Sequence, residues 1–287
     1  MQRNKKMGAP MAYKTILVHA ENTEAGWSLV KAAAGFAAAH DAHLVALAVG
    51  IEPVVPYASM VDVPVANYAQ DLEEARREVK ADADAIAKQL EPLGISFEVR
   101  AACRPGGLAG TEFARHARYA DISIFPQRNE LDNWHQLLDT TLFESGKPLL
   151  ICPTGCSLEA IGKRVAIAWD AGREAARAVA DAIALMTAAE DVRIVAVDPH
   201  VSPERHGEVP GADLATMLAR HGMPVSVDAI PGADRGFASA FLTHAADMNA
   251  DLIVAGAYGH SRIGQMLLGG ATRDLMEETD RPLLMSH

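Results

Sequence analysis

The feature that most restricts how this chain can fold is that it runs through one pattern twice. Lys14-Thr-Ile-Leu-Val-His-Ala-Glu21 reads against Lys163-Arg-Val-Ala-Ile-Ala-Trp-Asp170, and both ends of the second segment lie 149 residues after those of the first. Each is a short apolar run introduced by a basic residue, the signature of a buried parallel strand. A small polar loop and a helix-period segment follow in both copies. Leu29, Ala33 and Phe36 share one helical face in the first, and Val179, Ile183 and Met186 share one in the second. A second apolar run comes next, Leu44 to Val49 and Ile194 to Val197.

The later parts of the pattern match as well. Gly94 to Val99 and Gly222 to Val227 read as third strands, and Asp121-Ile-Ser-Ile-Phe125 and Asp251-Leu-Ile-Val-Ala255 as fourth strands. Lys147-Pro-Leu-Leu-Ile151 and Arg281-Pro-Leu-Leu-Met285 read as fifth strands. Helical stretches cover Leu108 to Tyr119 and Phe237 to Asn249. A strong amphipathic helix is expected over Glu73 to Leu90, with a shorter counterpart over Ala212 to His221. Strands alternating with helices predict an α/β fold of two tandem doubly wound domains, each a five-stranded, mostly parallel sheet flanked by helices. The copies span 12–154 and 163–287, with the boundary in Thr154 to Gly162. The Pro-rich insertion Pro53 to Pro64 reads as a surface connection, a lid or partner surface being the alternatives.

The 287 residues suffice for two domains, and 49% hydrophobic residues with only 5% aromatics supply cores built from Ala, Val, Leu and Ile. No uncharged apolar stretch reaches the ~18 residues that a membrane-spanning helix needs. The basic start, Met1 to Lys6, is followed by no apolar run, so a short disordered leader is expected rather than a secretory signal. A net charge of −11 without a basic stripe argues against a general nucleic-acid binder. The three cysteines, Cys103, Cys152 and Cys156, predict reduced thiols and a cytoplasmic protein.

The segment richest in chemistry follows the fourth strand of the second copy. Gly256 and Gly259 allow a sharp turn and a close approach of backbone to a ligand, and Gly269 and Gly270 precede a helix running to about Glu278. Free backbone N–H groups at a helix start, aided by the helix dipole, favour an anion. His260, Ser261, Arg262 and Arg273 add donors and positive charge. If the first and fourth strands are neighbours, Asp170 and this loop face one crevice beyond the strand ends. The loop lacks the Gly-Lys-Ser/Thr of a P-loop and the spacing of a Rossmann fingerprint.

Gly256-x-x-Gly259, nine residues, then Gly269-Gly270 closely resembles the ATP-binding loop of universal stress proteins, G-x2-G-x9-G-(S/T). The flanking Asp-Leu-Ile-Val and Arg-Pro-Leu-Leu are similar to that family too, and the likeness covers nearly the whole chain from about Lys14 as two copies. The resemblance implies an adenine-nucleotide site, for ATP with or without Mg, in copy two. Asp170 and Val197 would border adenine and ribose. Gly256, Gly259, Gly269, Gly270 and Ala271 would hold ribose and phosphates, with His260 and Ser261 as phosphate neighbours. Gly270 stands where the family usually has Ser or Thr, which removes one hydroxyl contact of about 0.5–1.5 kcal/mol. The resemblance also implies that the fifth strands pair or pack into an internal pseudo-dimer, with a homodimer and a regulatory protein partner as further expectations.

Copy one departs from the loop pattern. Phe125-Pro-Gln-Arg-Asn129 replaces the first Gly-x-x-Gly, no Gly-Gly occurs in Leu131 to Glu144, and Glu21 stands at the position of Asp170. It reads as a structural or regulatory partner domain without a nucleotide of its own. Elsewhere, His200 and His206 beside Glu204 and Glu208 lack a compact zinc pattern and read as solvated loop residues. Ser261 and His260 lack an acidic orienter, so no catalytic set and no efficient enzyme is expected. Cys103 is placed in a strand-to-helix turn, where a thiolate could be activated, with ordinary packing the preferred reading. The Cys152–Cys156 spacing is a weak cue for metal or redox chemistry, and packing or linker thiols are preferred there too. The function expected is a cytoplasmic stress-response protein that binds ATP or a related nucleotide in its second copy and acts through conformation or partners. A non-nucleotide interaction module with a vestigial loop and a slow ATPase are the alternatives.

Overall fold

The computed structural model describes residues 13–53, 65–127, 134–199, 209–232, 236–258 and 270–287. Copy one contributes β1 (Thr15–His19), α1 (Glu24–His40), β2 (His43–Ile51), α2 (Val65–Leu90), β3 (Phe97–Arg104), α3 (Ala109–Ala117), β4 (Ile122–Pro126), α4 (Trp134–Ser145) and β5 (Leu149–Cys152). Copy two repeats the order with β6 (Arg164–Ala168), α5 (Arg173–Ala182), β7 (Asp191–Val197), α6 (Ala212–Arg220), β8 (Val225–Ile230), α7 (Gly236–Asp247), β9 (Leu252–Gly256), α8 (Gly270–Glu278) and β10 (Leu283–Ser286).

All ten strands join one sheet in the order β3-β2-β1-β4-β5-β10-β9-β6-β7-β8. Within each half the strands are parallel, and both halves have the doubly wound arrangement expected of the repeat. The halves meet where β5 and β10 pair antiparallel, Leu150 opposite Leu284, so the fifth strands do pair across the repeat. Each fifth strand is a run of buried residues, all apolar but Ser286, that would otherwise leave an exposed, unpaired edge.

Helices cover both faces, which is why the inner strands β1, β4, β5, β6, β9 and β10 are largely apolar on both sides, while the edge strands β3 and β8 mix polar and apolar residues. Ile16 and Val18 of β1, with Val165 and Ile167 of β6, pack under α1, α2, α5 and α6. Leu17 and Ala166 face the opposite layer of α3, α4, α7 and α8. Local signals fix the ends of α1. Thr23 Oγ1 accepts the Gly26 N–H at 3.0 Å, and Asp41 closes the helix in the left-handed conformation with φ 49°.

Some elements differ from expectation in extent. The amphipathic helix of copy one starts at Val65 rather than near Glu73, because neither Gly nor Pro interrupts 65–90. The third strands lie later than expected, and β3 continues to Arg104 because it pairs with the whole of β2, as far as Ile51. Cys103 therefore lies within a strand and not in a strand-to-helix turn. It is buried, and burial, with Glu52 nearby, pushes its thiol up, the opposite of activation. Of the insertion Pro53 to Pro64, all but Pro53 lies outside the described residues, as does the Met1 to Lys6 leader.

Candidate functional site

The strand order of copy two reverses between β6 and β9, which are hydrogen-bonded neighbours with Ala168 opposite Ala255. On the other side of β6, Ala168 lies opposite Val195 of β7. The register thus carries Asp170, Val197 and Gly256 to the same end of three adjacent strands. This is the carboxyl end, where doubly wound sheets open a crevice at the reversal.

The backbone is constrained at this end. Among the described residues, five that are not glycine have a positive φ. Asp41 and Asn249 follow helices. The other three are Ala171 (φ 59°), Asp198 (φ 44°) and Tyr258 (φ 59°), and each stands just beyond β6, β7 or β9. Left-handed backbone costs an alanine or tyrosine about 1–3 kcal/mol and persists where surrounding contacts impose it. Those contacts are visible. Asp170 Oδ1 accepts the Gly172 N–H at 2.8 Å around Ala171, and the Asp198 N–H donates to Ile230 O at 2.9 Å. The Tyr258 N–H donates to Thr272 Oγ1 at 3.3 Å. That last bond ties together the two ends of the glycine loop.

The glycines divide by role. A Cβ on Gly256 would lie 2.3 Å from the backbone nitrogen of Ala175, so the close approach that this glycine permits is to the first turn of α5. Gly270 opens α8 with Ala271 beside it, both exposed, and a Cβ on Gly270 would meet only Asp274 Oδ2, at 3.9 Å. Gly259, His260, Ser261, Arg262 and Gly269 lie outside the described residues, as do His200, Glu204, His206 and Glu208. Among the described residues no group of three or more His, Cys, Asp or Glu side chains could hold a metal ion.

The two copies differ most in what lines this end of the sheet. In copy two, Ala168, Ala255 and Ala257 are buried on the side of α7 and α8. In copy one, His19 and Phe125 stand at the positions of Ala168 and Ala255. The His19 ring lies 6.0 Å from Phe125, 5.9 Å from Phe113 and 5.3 Å from Trp134, and Phe113 and Phe125 are 4.5 Å apart. All four side chains are buried, so aromatic rings occupy the space corresponding to the alanine-lined end of copy two. Burial pushes the His19 imidazole down toward its neutral form, which Glu21 at 3.9 Å opposes only in part.

Copy one also reaches the site of copy two across the seam. The Tyr258 phenol donates to Asp139 of α4 at 2.6 Å and packs against Phe143, with ring centroids 5.2 Å apart. Burial first, then Asp139, pushes that phenol's pKa up, so it stays protonated and able to donate. Gln127 Nε2 donates to the carbonyls of Glu277 and Thr279, at 2.9 and 2.5 Å, at the end of α8. Ala171, Asp198, Tyr258 and Asp139 were not among the residues singled out in the sequence.

Neither a protein-family model nor a curated protein matches the chain. Solved structures do. A universal stress protein from Archaeoglobus fulgidus matches with a TM-score of 0.69 and 18% identity over 95% of both chains. A provisionally assigned universal stress protein from Pseudomonas aeruginosa matches with a TM-score of 0.60 and 15% identity, over 96% of this chain and 93% of that one. A Pseudomonas aeruginosa protein of unknown function matches with a TM-score of 0.58 and 16% identity, over 96% of this chain and 92% of that one. All three align with both halves together.

Proposed function

We propose that this chain, with its tandem universal stress protein fold, binds one adenine nucleotide in the crevice of copy two and acts as a cytoplasmic stress-response protein through conformation or partners. The observation that carries the reading is the set of left-handed residues Ala171, Asp198 and Tyr258, one beyond each of three adjacent strands of copy two. Strain of this kind collects where a ligand is clamped. The residues present fit the ligand. Small side chains line the crevice, the first turn of α8 is exposed, and Asp170 and Val197 stand at the neighbouring strand ends. ATP is the candidate, with phosphates toward Gly269, Gly270 and Ala271 at the start of α8 and toward Gly259, His260, Ser261 and Arg262 in the loop. Mg would enter with the phosphates and offset their charge.

Copy one, its corresponding space filled by His19, Phe113, Phe125 and Trp134, serves as the partner that supports the loop across the seam. On this reading the nucleotide is held as a signal, with slow hydrolysis as the alternative. Calorimetric titration with ATP and Mg should give saturable heat with one site per chain, abolished by Gly259→Trp. No saturable heat from nucleotide-free protein would end this reading and leave an interaction module with an empty loop.

A further inference from the structure

The segment joining the two copies carries chemistry that the nucleotide site does not use. Cys152 ends β5 and is 1% exposed, and Cys156 is partly exposed four residues later in Cys152-Pro-Thr-Gly-Cys156. A tight turn folds the second cysteine back on the first. The Cys156 N–H donates to Pro153 O at 3.2 Å, and Gly155 takes the left-handed conformation with φ 76° that closes the turn. The Cys152 thiol donates to Leu150 O at 3.9 Å, and each of the two thiols perturbs the ionisation of the other. Both border a cavity of about 30 Å³ shared with Ser28, Leu29 and Ala32 of α1. That space admits one small oxidant molecule.

The two sulfurs are chemically unequal. The neighbouring Cys152 thiol pulls the Cys156 thiol down, more than burial pushes it up, and a backbone hydrogen bond adds to the fall. Burial pushes the Cys152 thiol up. A thiolate that forms more readily at the more exposed sulfur, beside a buried thiol, is the arrangement of an attacking and a resolving cysteine. Among the described residues no group of three potential ligands forms here, and two thiols alone do not make a zinc site.

We propose that Cys156 and Cys152 form a reversible dithiol–disulfide site for hydroperoxides at the junction of the two copies. The Cys156 thiolate attacks the terminal peroxide oxygen, an S–O bond forms, the O–O bond breaks, and the alcohol or water leaves after taking up a proton. Cys152 then attacks the sulfenic sulfur. An S–S bond forms, the S–O bond breaks, and the hydroxide leaves as water with the Cys152 proton. In sum two thiols and one hydroperoxide give one disulfide, one alcohol or water, and one water, and a dithiol reductant reverses the change.

The test uses the full-length reduced protein, treated with a small excess of hydrogen peroxide at neutral pH, quenched, unfolded and alkylated for peptide mass mapping. The expected result is that Cys152 and Cys156 lose alkylation together, with a peptide lighter by two hydrogens, while Cys103 stays fully alkylated and dithiothreitol restores both sites. Cys156→Ser should slow oxidation of Cys152 by about tenfold or more. Cys152→Ser should halt Cys156 at a sulfenic acid that dimedone traps. The proposal is overturned if wild-type Cys152 and Cys156 both remain alkylated after peroxide, or if either pairs with Cys103 instead. The wild-type mapping decides the question even where a variant fails to fold, and nucleotide binding plays no part in it.

Discussion

The Tyr258 phenol donates a 2.6 Å hydrogen bond to the Asp139 carboxylate, joining residues 119 positions apart from opposite halves of the molecule. Tyr258 lies at one end of the glycine loop and Asp139 in α4 of the half whose own crevice is filled. On the reading proposed above, the bond lets copy one bear on the site of copy two, since Tyr258 takes the left-handed conformation directly before the glycine loop in the sequence. Hydrogen bonds to charged groups contribute about 1.5–3 kcal/mol, less at this half-buried position. Tyr258→Phe and Asp139→Ala should each weaken ATP binding by about three- to tenfold, and a double-mutant cycle in urea should return a coupling of about 1 kcal/mol. Independent, additive variants would mean that the seam contact is incidental.

Gly256 and Gly270 should respond oppositely to added atoms. At Gly256 a methyl group collides with the α5 backbone at 2.3 Å, and backbone cannot swing aside as a side-chain tip can. Gly256→Ala should lower stability by about 1–3 kcal/mol or more, seen as a reduced urea midpoint. Gly270→Ser has room, with only Asp274 Oδ2 at 3.9 Å, and restores a hydroxyl at the head of α8. Affinity for ATP should rise by about two- to tenfold at unchanged stability, measured by calorimetry. An unchanged affinity would place the phosphates away from α8.

Much of the fold was legible because the chain states its pattern twice. Leu149 to Ile151 and Leu283 to Met285 are apolar runs behind Lys-Pro and Arg-Pro, and their pairing follows from the repeat. The boundaries of β3 and β8 were less legible, since strand length there depends on how far β2 and β7 extend beside them. At the site, Asp170, Val197 and the glycines carried a signal. Ala171 carried none, because left-handed backbone at an alanine is imposed by contacts rather than by propensity. The aromatic filling of copy one draws one residue from each of β1, α3, β4 and α4, a convergence that no local pattern reveals. Gly256 is the instructive case: a close approach of backbone to a ligand was expected there, and the close neighbour among the described residues is the α5 backbone.

Exchanging the lining between the copies tests whether filled space keeps nucleotide out of copy one. Ala255→Phe places in copy two the ring that Phe125 places in copy one. Binding of ATP should fall by more than about tenfold, with an overpacking cost of about 1–3 kcal/mol that leaves the protein folded. The reverse change, Phe125→Ala, should cost about 3–5 kcal/mol through the cavity it leaves and should still create no second site, because copy one lacks the glycine loop. A second equivalent of bound ATP in Phe125→Ala would show that bulk, and not the missing loop, closes copy one.

His19 gives the aromatic cluster a pH dependence whose sign is set by burial. The folded state lowers its pKa below the ordinary 6.5, burial acting first and Glu21 opposing. Between those two values the unfolded chain binds a proton that the folded one does not, so stability falls as pH drops below about 6.5 and is level above it. The steepest slope one group can supply is about 1.4 kcal/mol per pH unit. Burial also lowers His40 and His116, so the wild-type profile alone does not isolate His19. His19→Gln isolates it: the glutamine side chain should cost stability at pH 7.5, where wild-type His19 is neutral, and the gap to wild type should narrow toward pH 5. Urea midpoints at the two pH values measure this directly, and a constant gap would mean that His19 titrates alike in the folded and unfolded states.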